Sequence, residues 1–100
     1  MSKADISWQT EADTLIFSGV LNRDTVPELW NARSDWLSTD ETLTIDLSGL
    51  ERVDSAGVAM LLQAKRQLLE QQRKLQLHSP SDQLRAIAEV SGATKLLDFS

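Results

Sequence analysis

The residues with the most chemical potential stand together in the run Asp54-Ser55-Ala56-Gly57, where an apolar, strand-like segment gives way to helical spacing. Two kinds of chemistry are open to a serine beside an aspartate. As a nucleophile, Ser55 needs a base within hydrogen-bond reach. The only histidine, His78, lies on a short alternating segment, on the polar side with Gln76. That arrangement offers no triad. The chain has no cysteine, no His/Cys pattern of metal ligands and no glycine-rich phosphate loop. An enzyme is therefore the weakest class, with no catalytic residue, no metal and no cofactor expected.

The second chemistry is recognition. A serine ahead of a helix can cap its first turn, a role worth about 1 kcal/mol and sufficient alone to account for Ser55. Its neighbours ask for more. The amides of a first turn and the positive end of the helix dipole favour an anion or a partner's acceptor groups. Asp54 supplies charge, and Ala56 and Gly57 leave the turn bare enough for another backbone to approach. Glycine inside a helix costs about 1 kcal/mol relative to alanine, so its presence needs a reason. With about 3.6 residues per turn, Met60 falls opposite Val58, Leu61 and Leu62, on the face of Ala56, Gln63 and Gln67. It is expected to be exposed, as an adaptable apolar contact.

The elements that must position this site follow from spacing. Residues 14–20 alternate loosely, Leu15, Phe17 and Gly19 against Ile16, Ser18 and Val20, which predicts a strand largely buried on both faces. A weaker run around Trp8 is its hairpin partner, with Glu11-Ala12-Asp13 as the turn. Thr25-Val26-Pro27-Glu28 reads as a capping box with proline in the first turn. It opens a helix with the stripe Val26, Leu29, Trp30 and Leu37; Trp30 is expected in the core and Trp36 half exposed. Leu43, Ile45 and Leu47 mark the next strand. Ser55 then opens a second helix with Val58, Leu61, Leu62, Leu68 and Leu69 facing inward, and the polar run Gln71-Gln72-Arg73-Lys74 closes it. Leu75 and Leu77 mark another strand, and Ser79-Pro80-Ser81-Asp82 reads as a second capping box. Leu84, Ile87, Ala88 and Val90 share one face of a third helix, which Gly92 ends by turning left-handed. Residues 95–99 are expected as a short edge strand. Arg33 and Lys65 fall within apolar stripes, where a charged head must snorkel to water.

Strands alternating with helices at short intervals predict an α/β fold, a mixed β-sheet with helices packed on it. At 100 residues, with 41% hydrophobic and 25% charged, the chain reads as a single compact domain over residues 1–100. A net charge of -5 without a basic block disfavours nucleic acid as a partner. The start Met1-Ser2-Lys3-Ala4-Asp5 lacks the apolar core of a signal peptide. No apolar run approaches the roughly 20 residues that span a bilayer. The expected location is cytoplasmic, with any membrane association only through partners.

The run Ile45-Asp46-Leu47-Ser48-Gly49 followed by Val53-Asp54-Ser55-Ala56-Gly57 resembles the central motif of STAS domains. That family includes anti-sigma-factor antagonists, transporter tails and the small MlaB-type subunits of lipid-trafficking ABC transporters. Gly19-Val20-Leu21-Asn22 is similar to the end of the family's second strand and Val90-Ser91-Gly92-Ala93 to the close of its third helix, so the likeness spans nearly the whole chain. It implies a STAS-like mixed sheet and two competing mechanisms. In the antagonists a partner kinase phosphorylates the serine of the Asp-Ser motif, here Ser55, and the added charge would suit the helix dipole while changing the docking face. In the MlaB type the same surface is a standing contact to an ABC-transporter ATPase, assembled with a permease and membrane-anchored substrate-binding subunits. That transporter moves phospholipid and maintains outer-membrane lipid asymmetry.

Pro27-Glu28-Leu29-Trp30 is similar to the tryptophan-bearing first helix of the MlaB type. The sequence stops at Phe99-Ser100, where antagonists continue into another helix, and Asn22 stands where antagonists usually carry an acidic residue. The resemblance therefore implies a non-catalytic subunit that binds and stabilises or activates the ATPase through the start of the second helix. Its implied partner-binding residues are Asn22, Arg52, Asp54, Ser55, Ala56, Gly57, Met60 and Gln63. The alternatives are the antagonist regulated at Ser55 and a free-standing lipid or small-molecule binder. The latter needs a groove that the sequence does not display.

Overall fold

In the computed structural model, which describes residues 6–37 and 41–99, the alternating segments become four strands and the helical stripes five helices. The N-terminal run 1–5 and Ser100 lie outside the described residues. β1 (Ile6–Glu11) and β2 (Thr14–Leu21) form the expected antiparallel hairpin, with Glu11 opposite Thr14 and Ala12 left-handed in the turn (φ 54). There follow α1 (Val26–Asn31), α2 (Arg33–Trp36), β3 (Thr42–Val53), α3 (Ser55–Glu70), β4 (Lys74–His78), α4 (Asp82–Val90) and α5 (Thr94–Leu97). The sheet order is β1-β2-β3-β4, with β2, β3 and β4 parallel. This is the mixed sheet the sequence predicts. Its topology also brings the C-terminal ends of three parallel strands, at Leu21, Val53 and His78, to one edge, where each leads toward a helix.

One face of the sheet supplies the core. Leu15, Phe17 and Leu21 of β2, Leu43, Ile45 and Leu47 of β3, and Leu75 and Leu77 of β4 are buried. Ile16, Ser18, Thr44, Asp46 and His78, on the other face, are only half-buried. β2 is therefore covered on one side, not both, because the helices gather on a single face and alternation sends every second residue away from them. The β2–β3 register slips twice, between Ile16 and Ser18 and between Gly19 and Val20, and each irregularity changes the buried spacing on β3 from two to three, so that Leu47, Leu50 and Val53 all point inward. Gly49 lies at the first of these, where a Cβ would come within 2.7 Å of the Phe17 carbonyl oxygen.

The helices depart from expectation in instructive ways. The first is two short helices separated at Ala32, and the offset exchanges the roles of the tryptophans. Trp36 is buried, edge-on to Phe17 with ring centroids 5.3 Å apart, and its indole N–H donates to the Leu29 carbonyl at 2.9 Å. Trp30 is half-buried beneath the Arg33 guanidinium, which lies 4.5 Å from the ring centroid and donates to the Trp30 carbonyl at 2.9 Å. The Thr25 capping box does not form, since the buried Thr25 hydroxyl donates to the Val20 carbonyl at 2.8 Å instead. Ser81, not Ser79, caps α4 by accepting from the Leu84 amide at 3.1 Å.

Gly92 turns left-handed as expected (φ 71), but the residues after it form α5 and not an edge strand. From one helical turn, Leu97 reaches the core while α5 packs on α3 and α4. The Lys65 ammonium then donates to the Leu97 carbonyl at 3.3 Å, which accounts for its place in an apolar stripe. Val90, read as core-facing, is 89% exposed at the end of α4.

On the open face Asp46 accepts from the Ser48 amide at 2.8 Å. That backbone bond, then the Ser48 hydroxyl and the charge of His78, hold its carboxyl below the usual carboxylate range. A depressed value in the folded state adds stability that is present above the unfolded-state value and lost as pH falls through the folded one. Asp46→Asn is therefore expected to lower the urea midpoint at neutral pH, with the gap to the parent closing as pH drops below the ordinary carboxylate range.

Candidate functional site

At the strand-end edge, the loop after β2 and the start of α3 are joined by one side chain. Asp54 leaves β3 with its amide donating to the Leu21 carbonyl at 3.1 Å. Its Oδ1 accepts from the Ala56 amide at 2.8 Å and the Gly57 amide at 3.3 Å, and its Oδ2 accepts from the Arg23 amide at 3.3 Å. Its carbonyl accepts from Val58 at 3.3 Å. Asp54, and not Ser55, is thus the N-cap of α3. This corrects the expectation of a first turn open to an anion: a resident carboxylate already takes those amides and opposes the positive end of the dipole.

Gly57 also faces inward. A Cβ there would lie 2.9 Å from the Leu21 carbonyl oxygen, 2.9 Å from Leu21 Cγ and 2.9 Å from Val53 Cγ1. The backbone that Gly57 admits is the end of β2 and belongs to the same chain. Met60 is a further correction, being 3% exposed within the core. The buried arc of α3 comprises Gly57, Val58, Met60, Leu61, Ala64 and Leu68, because α1 lies along one flank of α3 as well as the sheet beneath it. The arc is displaced accordingly, leaving Leu62 half-buried and Leu69 exposed, both read as inward.

What stays outside is a ridge of short and polar side chains. Ser55, Ala59 and Gln63, four residues apart on successive turns, are exposed, and Ala56 is half-buried beside them. The Ser55 hydroxyl has no hydrogen-bond partner among the described residues. Arg52 is exposed at the end of β3. Its neighbour Val53 is fixed by donating to the Gln83 side chain at 2.8 Å.

Asn22 is half-buried and occupied with the loop: its Oδ1 accepts from the Asp24 amide at 2.9 Å and the Thr25 amide at 3.1 Å. His78 stands opposite Asp46 across β3 and β4 and shares no hydrogen bond with Ser55. Among the described residues no cluster of three acidic, histidine or cysteine side chains could hold a metal ion. No described helix is long and apolar enough to cross a membrane.

The arrangement places Asp54, Ser55, Ala56 and Gln63 along the first turns of α3 with exposed Ala59 between them, and buries Met60 and Gly57. The four-residue recurrence of Ser55, Ala59 and Gln63 carried the signal for Ala59.

The STAS-domain family described as Mlab matches residues 4–98 of the chain. The chain belongs to this MlaB-type STAS family. It is 32% identical over 85 residues to the intermembrane phospholipid transport system binding protein MlaB of Escherichia coli (strain K12), covering 85% of this chain and 86% of that protein. It is 32% identical over 92 residues to the protein of the same name from Haemophilus influenzae, covering 88% of each. Among solved structures it is similar to an anti-sigma factor antagonist from Mycobacterium paratuberculosis, with a TM-score of 0.75 and 20% identity over 99% of this chain and 89% of that one. That likeness shows that the STAS fold is shared.

Two substitutions probe how the start of α3 is fastened. Gly57→Ala improves helix propensity yet forces a methyl into the Leu21 and Val53 contacts, so a net loss of about 1–3 kcal/mol is expected in urea unfolding. Asp54→Ala is expected to lose about 0.5–2 kcal/mol with the cap. Faster hydrogen exchange should appear at the amides of Arg23, Ala56 and Gly57.

Proposed function

We propose that this chain is a non-catalytic subunit of an ABC transporter that moves phospholipid between membranes, and that it docks on the transporter ATPase through the ridge Ser55, Ala59 and Gln63, with Ala56 and Arg52 at its flanks. The observation that carries this reading is the exposed run of short and polar side chains on a helix whose first turn is anchored from within. A partner can close on such a ridge without displacing bulky groups or melting the helix. Asp54 and Asn22 act here by holding the loops in place, and Gly57 and Met60 by packing beneath. The curated relatives are named as binding proteins of an intermembrane phospholipid transport system, which supports placing this chain in the same role. The contact stabilises or activates the ATPase and leaves the chemistry to it. Membrane association then comes through the assembled transporter.

The antagonist-like reading has one observation in its favour, the exposed and unengaged Ser55 hydroxyl. A phosphate there would meet the Asp54 carboxylate, with the Ala56 and Gly57 amides already taken.

Co-purification with the phospholipid-transporter ATPase of the same organism separates the two. Ser55→Glu and Ala59→Glu are each expected to cut complex recovery about tenfold or more, a change of ~1.4 kcal/mol or greater, while Ser34→Glu on α2 leaves it unchanged. Undiminished recovery and ATP turnover in both ridge variants would refute the docking site. Phosphate on Ser55 by mass spectrometry of the protein from cells would favour the switch.

A further inference from the structure

Below the ridge, α3 and Leu96 of α5 border an open apolar groove of about 750 Å3 that no element of the described chain fills. Its floor is Leu62, Leu69 and Leu96, and it begins at Ala59 and Gln63. Leu69 is 56% and Leu96 61% exposed, a pair of large apolar side chains standing in water where a lone one would be ordinary. Along the rim run Lys65 and Arg66. Arg66 also borders the neighbouring polar cleft with Trp30 and Arg33. The Arg66 guanidinium has neither a hydrogen bond nor an ion pair among the described residues, and the one carboxylate at the groove, Glu70, sits at its far end. In a chain of net charge -5, this is a locally cationic stretch.

We propose that the groove is a second docking surface, which meets the ridge at Ala59 and Gln63 and runs on from it to Leu69 and Leu96, and that its occupant is an amphipathic helix of a partner protein, with leucine-like side chains on one face and acidic residues on its flank. Four features select this occupant. The walls are helices whose backbone groups are already paired, so an extended peptide would find no ladder to join, whereas a helix brings its own hydrogen bonds. Leu62 and Leu69 are seven residues apart, two turns or about 10 Å along α3, which matches apolar anchors at i, i+3 or i+4, and i+7 of a facing helix. Arg66 and Lys65 call for carboxylates opposite them. Two copies of this chain meeting groove to groove would instead bring those cations against each other.

The test places a photo-crosslinking benzoylphenylalanine at position 69 or 96 of the full chain in cells, with the captured peptide sequenced by mass spectrometry. The expected product is a peptide of another protein with apolar residues at helical spacing and a net negative flank. Its yield should fall about tenfold in Arg66→Glu, with the circular dichroism of that variant unchanged. Crosslinks to a second copy of this chain, to lipid or to peptides without that pattern would overturn the proposal. So would the absence of any crosslink, or a yield indifferent to Arg66→Glu.

Discussion

The structure depends on the seating of the first turn of α3 against the end of β2. Gly57 has no side chain because the Leu21 carbonyl and the Val53 side chain occupy the space one would need. Asp54 spans the same junction by hydrogen bonds to Arg23 on one side and to Ala56 and Gly57 on the other. Close packing and a shared carboxylate thus lock a loop, two strand ends and a helix into one unit. The remaining turns of α3 follow from that start, since a helix fixed at one end in position and direction can present only one arc to the sheet.

That arc explains the surface. With α1, α4 and α5 packed on it and the sheet below, α3 buries Met60 as well as the residues a single-sided packing would take, and the remaining arc is turned outward. Leu62 and Leu69 fall on the outward flank, next to Leu96 of α5, while the small residues of the ridge lie further round. One rotation of one helix sets both the bareness of the ridge and the apolar character of the groove. The two proposed contacts are therefore neighbours through a common cause.

Much of the architecture was legible from local patterns: the hairpin around residues 11–13, the strands at Leu43 to Leu47 and Leu75 to Leu77, the left-handed Gly92 and the mixed sheet. The family was legible too, because its motif spans a strand, a turn and a helix start and includes Val53, Asp54 and Gly57, which the junction described above requires. The misses share a physical origin in tertiary context. Helical spacing identifies a stripe but not how many neighbours cover it, so Met60 was read as exposed and Leu69 as buried. Ser55 and Asp54 are both competent caps, and the choice fell to Asp54 because its carboxylate can also reach the β2 loop. Trp30 and Trp36 differ only in which follows the break at Ala32, and nothing in their own types marks that break. Residues 95–99 carry apolar side chains suited to either state, and the seam between α3 and α4 favoured a helical turn.

The inward placement of Gly57 divides labour within a few residues of one helix. What fastens the helix is hidden, and what greets the outside world, Ser55, Ala59 and Gln63, bears none of that mechanical duty. Exchanges along the outer line would alter the proposed contact while leaving the helix's fastening untouched. Drift at the hidden glycine, by contrast, would loosen everything at once. A scaffold organised this way lets partner choice diversify on an unchanging frame.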